Sequence, residues 1–130
     1  MPHASAATSR NSEDASLRGR TYDIPFEDVW QGALRVARER LRGWAVDLTD
    51  DENGRISVDV RSRLRSLTGI VRIRITLDEQ GQTRVDVASE TPGTRRDWGT
   101  NARRVRRFLA ALDREAPRER DRRRGAAPAR

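Results

Sequence analysis

Val71-Arg72-Ile73-Arg74-Ile75-Thr76-Leu77, a turn at Glu79-Gln80-Gly81, and then Thr83-Arg84-Val85-Asp86-Val87 decide how this chain folds. In both runs apolar and polar residues alternate with period two, the mark of strands that bury one face and solvate the other. Val71, Ile73, Ile75 and Leu77 take the inner face of one strand, and Thr83, Val85 and Val87 that of the next. Upstream the alternation recurs twice. Ile56, Val58 and Val60 alternate with Arg55, Ser57, Asp59 and Arg61, and Trp44, Val46 and Leu48 alternate with Ala45, Asp47 and Thr49. Asn53-Gly54 between those runs reads as a two-residue hairpin turn, because both positions want a positive φ. Four consecutive strands therefore form an antiparallel meander with one apolar and one charged face. On the charged face Asp47, Asp59 and Asp86 are the expected cross-strand partners of the outward arginines.

Helical periodicity brackets the meander. Before it, Tyr22 and Ile24 alternate in a short strand, and Pro25 suits the first position of a helix. Phe26, Val29, Trp30, Ala33, Leu34, Ala37 and Leu41 then form one stripe, with acids in the first turn, arginines in the last, and Gly43 as the stop. After the meander comes Asp97-Trp98-Gly99-Thr100-Asn101-Ala102-Arg103-Arg104-Val105-Arg106-Arg107-Phe108-Leu109. At about 100° per residue, Trp98, Ala102, Val105, Leu109 and Leu112 share one side and Phe108 sits on its edge. Asp97 is a suitable N-cap, Gly99 permits close approach to a strand, and Asn101 falls on the flank of the stripe, where it should bond the preceding loop or a strand end. The expected fold is α+β: a short strand, a helix, a four-strand antiparallel meander, and a closing C-terminal helix packed on one face of the sheet. Trp30, Trp44, Val58, Ile73, Ile75, Val85, Trp98, Val105 and Leu109 are the expected core.

Composition bounds the rest. The 130 residues suffice for one domain, and hydrophobic (35%) and charged (36%) residues balance, so a compact core carries a heavily charged surface. All 27 basic residues are arginine, and the net charge is +7. Of that excess, +4 lies in residues 116–130, which with Pro117, Gly125, Pro128 and Arg122-Arg123-Arg124 read as a disordered basic tail. Residues 1–19 are Ser/Ala-rich and read as a disordered N-terminal segment, which leaves residues 20–115 as the single domain. There is no apolar run long enough for a transmembrane segment and no secretory h-region, so a cytoplasmic location is the expectation.

The inventory of reactive groups argues against enzyme chemistry. Cysteine is absent, the one histidine is His3, and no phosphate loop or nucleophile elbow occurs. Glu90 and Asp97 flank a loop as an acid–base pair would, but Asp97 already has a structural task as the cap. Asp50-Asp51-Glu52-Asn53-Gly54 lacks the alternating acids and distal glutamate of a calcium loop, so neither a metal nor a cofactor is expected. The strongest functional hint is cationic. Arg103, Arg104, Arg106 and Arg107 have no acid three or four positions away on their own helix, and Arg95 and Arg96 lie just ahead of its start. Together they read as an outward face for an anionic partner, set against the alternative of a solvated helix back.

Asp97, Gly99, Asn101, Arg104 and Val105, following Val85-Asp86-Val87-Ala88-Ser89, resemble the motif of the bacterial family catalogued as domain of unknown function 1499. Ile24-Pro25, Val29-Trp30 and Gly43-Trp44 are similar to that family's opening helix and first strand. The resemblance implies a fold more than an activity. The order of elements is also similar to helix-grip domains, which implies an apolar ligand held between sheet and long helix, here lined by Val105, Leu109, Ile73 and Val85. Three readings follow: a small non-enzymatic module for an apolar molecule, weak non-sequence-specific binding of an acidic protein, nucleic acid or other polyanion, and a structural scaffold.

Overall fold

The computed structural model describes residues 3–9, 17–61, 68–92 and 99–125. Strands β1 (His3–Ala7), β2 (Arg20–Tyr22), β3 (Trp44–Asp50), β4 (Arg55–Arg61), β5 (Thr68–Leu77) and β6 (Thr83–Pro92) make one antiparallel sheet, and helices α1 (Phe26–Arg35) and α2 (Thr100–Gly125) cover it. The order across the sheet is β1-β6-β5-β4-β3. β3 to β6 are the expected meander. β1 and β2 share the free edge of β6 end to end, β1 against residues 88–92 and β2 against residues 83–85.

The inner face follows the alternation. Ile56, Ile73 and Val87 form one cross-strand row, Val58 faces Val71, and Ile75 faces Val85, all buried. Val29, Trp30 and Ala33 of α1 and Val105, Phe108, Leu109 and Leu112 of α2 complete that core. Trp44 is only half-buried, because its ring lies at the edge of the core, stacked on Phe108 with centroids 5.9 Å apart. Trp98, Asp97, Arg95 and Arg96 lie outside the described residues.

Several expectations are corrected. Residues 1–19 are not disordered throughout, since His3–Ala7 form β1. This strand carries almost no apolar payload, and its pairing rests on the backbone ladder to β6. Thr8 locks its end, with the hydroxyl donating to Asp86 Oδ1 at 2.8 Å and accepting from the Val87 amide at 2.9 Å. Nor are residues 116–125 a tail, since α2 runs to Gly125 with Pro117 inside it. Periodicity sets Leu48 on the inner face, yet it is 53% exposed. The register slips between Val46 and Leu48, so one extra residue, Asp47, turns the strand over. Leu77, at the last position of β5, is likewise exposed. Asn53-Gly54 is not a two-residue turn: Asp50 pairs with Arg55, so the loop is Asp51 to Gly54, closed by Gly54 at φ +66. A Cβ at Gly54 would lie 1.9 Å from the Ile75 carbonyl oxygen, so only glycine fits. Pro25 is the N-cap of α1, one residue earlier than expected. On the outer face Arg72 pairs with Glu90 and Arg84 with Asp86, whereas Asp47 and Asp59 form no ion pair among the described residues.

Candidate functional site

α2 begins beside the end of β6, and there its polar residues turn inward. Asn101 is fully buried. Its Oδ1 accepts from the Ser89 hydroxyl at 2.7 Å, and its Nδ2 donates to Thr91 Oγ1 at 3.1 Å. Arg104, 7% exposed, donates to Asn101 Oδ1 at 3.3 Å and to Thr91 Oγ1 at 3.4 Å. Arg104 therefore leaves the outward cluster in which helix projection places it. The ends of β5 and β6, at Gly69 and Thr91, reach round the start of α2, so its buried arc there is wider than the apolar stripe, and Arg104 falls inside it. Gly69 on β5 makes the space: a Cβ there would sit 2.1 Å from Arg104 Nη1. Arg103, Arg106 and Arg107 do point to solvent.

Further along, α2 and α1 run antiparallel, joined by ion pairs that descend one helix as they climb the other. Asp28 meets Arg123 at 2.7 Å and Arg35 meets Glu119 at 2.7 Å. Arg40 meets Glu115 at 2.9 Å. Gly32 lets the backbones close, since a Cβ there would lie 3.2 Å from Ala116 Cα. Past Arg35 the helix widens into a π-helical turn, Val36–Arg40, which swings Arg40 toward α2. Between that turn and α2 opens a cleft of about 210 Å³, bordered by Arg40, Leu41, Arg107, Ala111, Arg114 and Arg118, with the Glu115 carboxylate in its wall. Arg107, Ala111, Arg114 and Arg118 recur at helical spacing and form one stripe. Among the described residues no hydrogen bond or ion pair engages Arg107, Arg114 or Arg118. Glu115 Oε2 is buried without a hydrogen-bond donor, although the Arg122 guanidinium stands 3.5 Å away. The spacing was present in the sequence, but the expected cluster stopped at Arg107: Arg114 lies between Asp113 and Glu115 in the sequence, and Arg118 fell in the segment read as a tail.

The interior offers no comparable space at the positions expected to line an apolar pocket. Val105, Leu109 and Val85 are 0% exposed and Ile73 is 1% exposed, so none of them fronts a void that admits water. The larger concavity lies on the opposite, outer face of the sheet. At the β3–β4 tip, Asp50 is occupied by its own loop: Asn53 donates to it through Nδ2 at 2.8 Å and through the backbone amide at 3.2 Å. These bonds, the side-chain one first, hold its carboxyl below the usual range. Among the described residues no group of three or more acidic or histidine side chains is arranged to hold a metal, and no helix is long and apolar enough to cross a membrane.

A model of a family described as protein of unknown function, DUF1499, matches residues 2–112. The chain belongs to the DUF1499 family. No curated protein matches it. Among solved structures, the crystal structure of Ara h 8.0201, a Bet v 1-like protein, is similar with a TM-score of 0.59 and 7% sequence identity, covering 88% of this chain and 98% of that chain. At that identity the likeness is one of fold, in agreement with the helix-grip order of elements. The DUF1499 match takes in β1, in keeping with that strand's place in the sheet. It ends at Leu112, so Arg114 and Arg118 of the cleft lie beyond the matched residues. Ser89, Asn101 and Arg104 lie within it, where the buried cluster ties α2 to β6.

Proposed function

We propose that this DUF1499 protein is a non-enzymatic module that binds polyanions without sequence preference along the arginine edge of α2. One observation carries the reading: Arg107, Arg114 and Arg118 stand on one stripe, beside Arg40, with no acidic partner among the described residues. Arg114 with Arg118 are like charges one turn apart, a spacing that costs a few tenths of a kcal/mol, roughly, in an exposed helix. An anionic partner removes that repulsion. The π-helical turn supports the same edge, since such turns recur at functional sites. Arg103 and Arg106 extend it toward the helix start. The contact is to charge and not to bases: Trp30 is buried and Trp44 is stacked on Phe108, so neither serves as a stacking platform.

Anisotropy titration of a labelled mixed-sequence DNA duplex tests the reading. Reversing the stripe in R107E/R114E/R118E is expected to weaken binding by about two decades or more, with R55E/R74E on the sheet as the control that binds normally. Wild-type affinity in the triple variant would refute the assignment.

A further inference from the structure

On the face of the sheet turned away from the helices, register aligns Ala7, Ala88, Arg72, Ser57 and Leu48 in one row across five strands. The next row holds Asp86, Arg74 and Arg55. These rows floor a hollow of about 520 Å³, a volume that suits a small-molecule site. Short side chains at Ala7, Ser57 and Ala88 give it depth, and the arginines give it walls. Leu48 belongs to it only because the slip at Asp47 turns that side chain out of the core. A bulge that re-aims one large apolar group into a concavity is a recurrent feature beside binding sites.

The charge is concentrated at one end. Arg55 and Arg74 face each other directly across β4 and β5, and among the described residues neither is in an ion pair. Like charges in that relation destabilise a sheet. Their acidic neighbours relieve it only in part, through the attraction between Arg55 and the Asp50 carboxylate. Asp86 is taken by Arg84 at 2.8 Å and by the Thr8 hydroxyl at 2.8 Å. Asp50, beside Arg55 in register, is held by Asn53. Arg72 is matched by Glu90 at 2.7 Å, which frees its aliphatic stem to line the floor. Asp47 lies on the far side of the Leu48 row from the two arginines. The geometry points to a binding site for a small anionic amphiphile, its carboxylate between Arg55 and Arg74 and its apolar chain over Ala88 and against Leu48. This site is separate from the α2 edge and from the filled interior.

Calorimetric titration of the full chain with dodecanoate is the test. Saturable binding at one site is expected, weakened by about tenfold or more in both R74E and L48D, and weaker for the uncharged dodecanol. Both positions are exposed, so a thermal melt equal to wild type confirms that the variants are folded. R107E/R114E/R118E should bind dodecanoate as wild type does, which separates this site from the polyanion edge. The absence of saturable binding, binding that survives both sheet variants, or binding lost only in the α2 variant would overturn the assignment.

Discussion

At the scale of single residues, the cluster of Ser89, Thr91, Asn101 and Arg104 is where the DUF1499 motif meets the fold. Asn101 is its hub, because both ends of its amide are bonded where water does not reach. Asn101→Ala is expected to destabilise the protein by about 2–3 kcal/mol in urea unfolding, because a hydroxyl and a guanidinium lose a buried partner together. A loss below about 0.5 kcal/mol, the range of neutral surface changes, would show that the cluster is not cooperative. The flank position of Asn101 was legible from helical projection; the burial of Arg104 was not. Projection gives angles about one axis, and it cannot say how far the sheet reaches round the helix. A second residue has a testable pH response. Burial, and then a hydrogen bond of 2.6 Å to Asp113, push the Tyr22 phenol above its ordinary value of 10. Native protein therefore keeps a proton that unfolded protein releases, so this contribution to stability is complete below pH 10 and declines as pH rises further. Tyr22 is the single tyrosine, so an ultraviolet titration should show no native tyrosinate step at the ordinary value and a normal step in denaturant. A normal step in the native protein would remove Asp113 as its partner.

At the scale of elements, the strands from β3 to β6 and the existence of both helices were legible because period two and period 3.6 are written in side chains. The elements that were missed are those held by other forces. β1 has no large apolar residue, so its backbone pairing left no hydrophobic signal. The bulge at Asp47 inserts one residue without changing composition, and a single insertion reverses every later side chain of the strand. The last turns of α2 read as a tail because Pro117 and the arginines dominate them. In the fold, Ala116 is buried against Gly32, and Glu119 and Arg123 hold Arg35 and Asp28. Deleting residues 116–130 is thus expected to cost about 2–4 kcal/mol, since Asp28 stays buried without its cation and α1 loses its cover. A thermal melt unchanged by the deletion would return that segment to the status of an appendage.

At the scale of the whole molecule, net charge alone says little about function, and the placement of charge says more. The chain carries +7, and the arginines of its last turns are not all available to a partner. Arg122 serves Glu119 and Glu115, and Arg123 serves Asp28. The cationic surface that remains follows α2 to the cleft beside the π-helical turn, where no acid among the described residues forms an ion pair with Arg107, Arg114 or Arg118. A polyanion docked there would displace condensed counterions in proportion to the arginines that touch it, which makes salt the sharpest probe. If about four to six phosphates are neutralised, affinity should fall by roughly two to three decades between about 50 and 200 mM salt. The decisive measurement is the slope of log affinity for duplex DNA against log salt concentration, in wild type and in R107A/R114A/R118A. The polyanion reading predicts a slope shallower by about three in the variant, one for each phosphate contact removed; an identical slope in the two proteins would contradict it.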